Sequence, residues 1–146
     1  ILATETLGGI GSLAEVAGRF WPLDAVAGAY RHFIETFSTV ETALADGPPP
    51  DGATALALRL RLVHLFRAAA LADPRLPADA LPEDWPGASA RGLFVTLYLR
   101  VTSAADRHVG RTFRNSDGFL QESTTITTFR IDAMRHEIAE REKVAG

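Results

Sequence analysis

TALALRLRLVHLFRAAALA, residues 54–72, decides the fold. Its first nine residues place leucines at every second position, as a half-buried strand does. Composition points the other way. Ala, Leu and Arg are strong helix formers, and Val63 is the sole β-branched residue between Leu56 and Leu71. The stretch therefore reads as a helix over about residues 53–71. Because it is apolar on most of its circumference, it is expected to be the central, buried helix of the fold.

Upstream, WPLDAVAGAYRHFIETFSTVETALAD (21–46) carries Leu23, Val26, Ala27, Tyr30, Phe33, Ile34, Phe37, Val40 and Leu44 at helical spacing. Pro22 suits a first helical position and Asp24 the positive end of the helix dipole. GPPPDG (47–52) stops this helix. LAEVAGRF (13–20) reads as two helical turns before it. Downstream, GASARGLFVTLYLRVTSAADRHVG (87–110) repeats the signature, with Ala90, Leu93, Phe94, Leu97, Tyr98, Val101, Ala104 and Ala105 as its stripe. IDAMRHEIAEREKV (131–144) predicts a last helix with Ile131, Met134 and Ile138 inward and Glu137 paired with Arg141. RNSDGFL (114–120) reads as a turn with weak flanks. Short strand segments are expected near the N-terminus and around 124–129, where threonines cluster. Long helices joined by short connections predict an all-α fold, an antiparallel helical bundle.

Between the second and third long helices lies DPRLPADALPEDWPG (73–87), with four prolines in fifteen residues. Leu76, Leu81 and Trp85 make it unlike a disordered linker. It predicts a rigid bridge whose indole wedges, buried, between the helices and sets their angle. Prolines fix the backbone and remove donors that would need partners.

The chain has 146 residues, enough for one domain, with 47% apolar and 23% charged residues and a net charge of −3. That charge offers no field for gripping phosphates along a duplex. No apolar run reaches the roughly 18 residues of a membrane span, and the N-terminus has no basic n-region. The missing initiator Met predicts a fragment or a processed product. The absence of cysteine excludes disulfides and thiolate metal sites, and fits a reducing cytoplasm.

Catalytic and metal motifs are lacking. His32, His64, His108 and His136 are scattered without ligand spacing, so no metal site is expected. GASAR around Ser89 lacks the second glycine of a nucleophile elbow, and no strand precedes it. GGIGS (8–12) has no phosphate-loop lysine. Glu83 and Asp84 are expected to cap the following helix. No enzyme and no cofactor are implied. Arg59, Arg61, His64 and Arg67 form the one charged cluster that stands out. Two readings remain open. One is internal pairing, such as Arg67 with Asp73 or Asp24. The other is a cationic pocket for a ligand's phosphates or carboxylate. Trp21, Tyr30, Trp85 and Tyr98 likewise fit either core packing or an aromatic pocket.

WPLDAVAGAYRHF, LRLVHLFR and DPRLPADALPEDWPGASARGLF occur in the order and at the distances seen in PaaX-type regulators, repressors of aerobic phenylacetate degradation. The chain resembles their C-terminal domain over about residues 13–112, and thinly to about 135. Ala80 stands where the family more often has leucine, and the last helix matches nothing in it. The resemblance implies a domain at 13–146, with 1–12 as the tail of a preceding middle domain. It implies a homodimeric repressor that binds DNA through a winged-helix head absent from this chain. An aryl-CoA thioester such as phenylacetyl-CoA would release it from the operator. The residues nearest to its recurring motif are Arg59, His64, Arg67, Asp73 and Trp85. Arg59, His64, Arg67 and Trp85 are the ligand-binding candidates, and Trp21, Tyr30, Asp73, Pro74, Pro77, Pro82 and Pro86 the structural ones. The other reading is a purely structural dimerisation module, with the effector bound elsewhere in the parent protein.

Overall fold

Residues 54–72 are helical, and what starts and stops that helix explains the bundle. A computed structural model describes residues 11–145. In it α1 spans Leu13–Phe20, α2 Leu23–Asp46, α3 Gly52–Ala72, α4 Gly87–Thr112 and α5 Thr125–Ala145. The α3 N-cap is Asp51, whose carboxylate accepts hydrogen bonds from the Thr54 amide (3.0 Å) and hydroxyl (2.7 Å). Those bonds hold the Asp51 carboxyl below its ordinary pKa. The short proline turn before it folds α3 back along α2. Gly52 lets α3 approach α4 closely, since a side chain there would press on His108 and the Ala104 carbonyl. Ser12 and Glu15 close a capping box on α1.

The expected all-α bundle is present, but its centre is α4 and not α3. Ala90, Leu93, Phe94, Val95, Leu97, Tyr98, Val101, Thr102 and Ala105 are all buried on α4, which packs against α2, α3 and α5. On α3 the buried residues are Ala55, Leu62 and Ala69, a single line at every seventh position. An all-round apolar composition says that a helix wants burial on every side; it does not say how many sides its neighbours cover. The interior is a run of aromatic rings. Phe66 stacks on Phe94 (4.4 Å between centroids), Phe33 contacts Phe37 (4.9 Å) and Phe66 (5.5 Å), and Tyr30 joins Phe66 to Trp85.

Two local expectations are corrected. Residues 125–129 are the first turns of α5 and not a strand. The threonines act through their hydroxyls: the Thr124 side chain accepts from the Thr127 amide, and its carbonyl from the Thr128 amide. This capping starts the helix six residues earlier than its apolar stripe announces. RNSDGFL is more than a turn with weak flanks. β1 (Arg114–Asn115) and β2 (Gly118–Phe119) pair antiparallel, with Gly118 at φ +123° and the Arg114 guanidinium over the Phe119 ring. The expected N-terminal strand, and most of the tail assigned to a preceding domain, lie outside the described residues.

α5 is held to α4 thinly. Met134 is buried, Ile138 half-buried, and Glu137 accepts from Arg91 on α4 (2.9 Å) and from Arg141 one turn along (2.6 Å). The Arg91 hydrogen bond keeps the Glu137 carboxyl below the usual carboxylate range. A depressed pKa stabilises the fold above the unfolded-state value of about 4.3, and that stabilisation is lost as pH falls through the folded value. Going from pH 5 to pH 3 should therefore release α5 before the rest, by about 1 kcal/mol or less for this partly exposed cluster. Amide exchange is expected to speed up in α5 and stay slow in α4. Arg91→Ala should flatten that pH dependence.

Candidate functional site

The proline bridge leaves α3 at Asp73 and enters α4 at Gly87. Asp73 organises its first turn. One carboxylate oxygen accepts from the Arg75 amide (2.8 Å), steadying Arg75 at φ +54°, and the other from the Tyr30 hydroxyl (2.8 Å). Burial, reinforced by the Asp73 carboxylate, raises the Tyr30 phenol above its ordinary pKa. The Pro77 carbonyl accepts from Ala80 across a 3-10 turn (Ala78–Ala80), which α1 covers, and the Pro82 carbonyl accepts from Trp85.

Trp85 is not the fully buried wedge the sequence led us to expect. It is half-buried, as are Leu76, Leu81, Pro74 and Pro82, while Pro86 is buried and Pro77 exposed. The indole stands edge-on to Tyr30 at 6.1 Å and folds over Gly87, where a side chain would meet its Nε1. Tyr30 is the interior anchor, at 4% exposure. Trp21 is 42% exposed and rests edge-on to Phe20 between α1 and α2.

The charged cluster of α3 is split. Arg59 turns inward and pairs with Asp106 of α4 at 2.5 Å, both side chains about 85% covered (15% and 14% exposed). His64, Arg67 and Arg61 are exposed on the outer face. Arg59 and His64 stand about 140° apart on the helix, so they cannot serve one pocket together. Trp85 lies at the Tyr30 junction. The expected pairing of Arg67 with Asp73 does not form, because Tyr30 and the Arg75 amide occupy that carboxylate. No pairing of Arg67 with Asp24 forms among the described residues. Asp84 does not cap α4 but pairs with Arg31 of α2 at 2.7 Å. Ser89 sits exposed in the first turn of α4.

Behind Arg59 lies a cleft of about 370 Å³ between α4 and the start of α5, walled by Leu99, Thr102, Ser103, Asp106, Arg107 and Arg135 among others. Arg59 neutralises Asp106 and Asp132 lies 3.5 Å from Arg135, while Glu122 adds a further carboxylate to the lining. Arg107 reaches only the Ser103 hydroxyl, at 3.3 Å. Thr102 is buried in the wall with a hydroxyl that lacks a hydrogen-bond partner, an arrangement that costs about 1–3 kcal/mol. With serine and threonine hydroxyls around it, the cleft suits a polar group with an apolar neighbour. Neither Thr102 nor Arg107 stands out by pattern, because Thr102 falls on a mostly apolar stripe and Arg107 looks like an ordinary surface charge. Arg59 alone was legible, as a cation on an apolar helix. Among the described residues, no His, Asp and Glu side chains are grouped to hold a metal ion. No helix among them is long and apolar enough to cross a membrane.

The profile of the PaaX-like protein C-terminal domain matches residues 21–111, from the start of α2 to the end of α4. The chain is 35% identical over 103 residues to the transcriptional repressor PaaX of Escherichia coli (strain K12). That alignment covers 68% of this chain and 32% of the relative, so the chain spans about a third of that protein's length. No solved structure matches it. The matched span holds the aromatic interior, the Tyr30–Asp73 pin, the bridge and the Arg59–Asp106 pair, and by that match the chain belongs to the PaaX-like C-terminal domain family.

Proposed function

We propose that this chain is the effector-responsive regulatory domain of a PaaX-type transcriptional repressor, cytoplasmic and homodimeric. DNA would be held by a winged-helix head elsewhere in the parent protein, and an aryl-CoA thioester such as phenylacetyl-CoA would be the effector. The observation that carries this reading is the α4–α5 cleft with its unpartnered Thr102 hydroxyl, whose α4 wall lies within the family match and whose α5 wall lies beyond it. Its size falls within the roughly 300–1,000 Å³ of small-molecule sites, with room for part of a coenzyme A thioester. Arg107 and Arg135 would take anionic or carbonyl oxygens, and Leu99 and Ile131 the apolar portion. Of the candidates read from sequence, Arg59 serves this site by holding Asp106 in its wall. Trp85 serves it indirectly by fixing the entry of α4, and His64 and Arg67 belong to another surface.

A ligand seated between α4 and α5 acts on the most weakly attached helix. Binding that favours one α5 position over another shifts the population, which is all that coupling to a distant DNA-binding head requires. Calorimetry on this chain tests the reading: phenylacetyl-CoA is expected to bind, and coenzyme A alone to bind at least tenfold more weakly. Losing one charged hydrogen bond costs about 1.5–3 kcal/mol, so Arg107→Ala should weaken binding by a factor of about ten or more. Silence with phenylacetyl-CoA would leave the chain as a structural dimerisation module, a reading the exposed face of α3 favours.

A further inference from the structure

Arg107, His108 and Arg111 crowd the C-terminal end of α4, and with Asp51 and Gly52 at the start of α3 they line a cavity of about 360 Å³. Arg111 lies one turn from both Arg107 and His108, so the three side chains leave the same flank of the helix. Among the described residues neither Arg107 nor Arg111 takes part in an ion pair, although the chain as a whole is acidic. Arg107 reaches the Ser103 hydroxyl at 3.3 Å, and His108 lies 3.5 Å from the Thr112 hydroxyl. The one carboxylate in the lining, Asp51, is already engaged, since its oxygens accept from the Thr54 amide and hydroxyl. A cation in the last turn of a helix answers its dipole, and Arg111 alone would do that. Such a role asks for neither Arg107 a turn earlier nor the hollow beside them.

We infer that this cavity is an anion site for the phosphate-bearing end of a nucleotide-like ligand. Two guanidinium forks beside one hollow suit phosphoryl oxygens, each of which accepts more than one hydrogen bond. The volume lies within the range of small-molecule sites, so a phosphorylated sugar fits where a lone phosphate would leave space. Arg107 also lines the α4–α5 cleft, and the two hollows adjoin across that side chain. The identity of the ligand rests on the reading of the chain as a thioester-responsive domain. The α4–α5 cleft has room for only part of a coenzyme A thioester, whose phosphates lie at the end remote from the acyl group. With Glu122 and Asp132 in its lining, that cleft is a poorer place for phosphates than the basic cavity. The acyl end therefore belongs between α4 and α5, and the phosphates beside Arg111. A ligand laid across Arg107 would touch α3, α4 and α5 together.

Calorimetry with adenosine 3′,5′-bisphosphate, which carries the phosphates without thioester or acyl group, tests the site apart from the thioester reading. The bisphosphate is expected to bind, with amide shifts at Gly52 and His108 marking where. Arg111 lines this cavity and not the α4–α5 cleft, so Arg111→Ala should weaken the bisphosphate and phenylacetyl-CoA alike, by a factor of about ten or more. Arg111→Lys keeps the charge but not the fork, and should weaken both less. Arg111 is exposed, so either variant should melt close to the original chain. Silence of the bisphosphate up to about 5 mM, or binding indifferent to Arg111→Ala, would overturn the site even where phenylacetyl-CoA binds. Inorganic phosphate binding as tightly as the bisphosphate would overturn the ligand class. Bisphosphate binding that Arg111→Ala removes, with phenylacetyl-CoA silent, would support the site and count against the thioester.

Discussion

Phe33→Ala is expected to cost about 3–5 kcal/mol, a large share of the roughly 5–15 kcal/mol that holds a domain of this size together. Phe33 is wholly buried, and its ring meets Phe37, Phe66 and Phe94, so its removal opens a void bounded by three helices. α2, α3 and α4 each contribute a ring to that wall, and none can close the gap without giving up its own line of contacts. Trp85→Ala should cost less, about 1–2 kcal/mol, because the indole is half-buried and the Tyr30–Asp73 bond survives it. Urea melts of the two variants check this ordering. The midpoint should fall much further for Phe33→Ala, with the slope unchanged in both. Equal losses would mean that the bridge tryptophan, and not the phenylalanine stack, is the keystone of the bundle.

That ordering also shows where the sequence was readable. The stripes of α2 and α4 were legible because their polar faces are polar enough to leave one side as the buried one. Phe33, Leu97 and Val101 were placed by spacing alone, and all are inside. α3 was legible as a helix but not as to its neighbours, because residues such as Leu60 and Leu71 carry the same chemistry as Leu62 and yet face out. Trp85 read as buried because tryptophan so often is; what covers it depends on how α2 brings Tyr30 against the bridge, an approach no local pattern encodes. The threonines at 124–128 obeyed capping where propensity argued for extension. The cleft was hardly legible at all. It exists because α5 doubles back along α4, and its wall residue Asp106 is held by Arg59 from 47 positions earlier in the chain.

The surfaces left open divide along the same line. Asp106, which Arg59 neutralises, lines the α4–α5 cleft together with Thr102 and the exposed Arg107. The outer side of α3 keeps a leucine-rich seam with no carboxylate on it. Here α3 and α4, tied by Gly52 and the Ala55–Leu62–Ala69 line, lie between the two. A shift of α5 would thus reach the outer face of α3 by way of α4, which contacts both helices.

Arg59→Ala carries the second large effect. Removing one member of a covered ion pair leaves the other charge without compensation, and for a pair with this slight exposure the loss is expected to be about 2–4 kcal/mol. Asp106→Ala should cost about the same, since the stranded Arg59 then lacks its acceptor. The double replacement Arg59→Met with Asp106→Leu removes both charges and keeps the volume, so it should return to within about 1 kcal/mol of the original stability. Thermal and urea unfolding of the original chain, Arg59→Met, Asp106→Leu and the double replacement form a double-mutant cycle. A coupling energy near zero would show that the two side chains are solvated separately and that the back wall of the cleft is not held as described. The double variant has a further use. It presents an intact fold with an uncharged wall, leaving Thr102 and Arg107 in place. If phenylacetyl-CoA binds it as it binds the original chain, the pair is scaffolding for the site. A tenfold or greater loss in that stable background would place Asp106 or Arg59 in contact with the ligand itself.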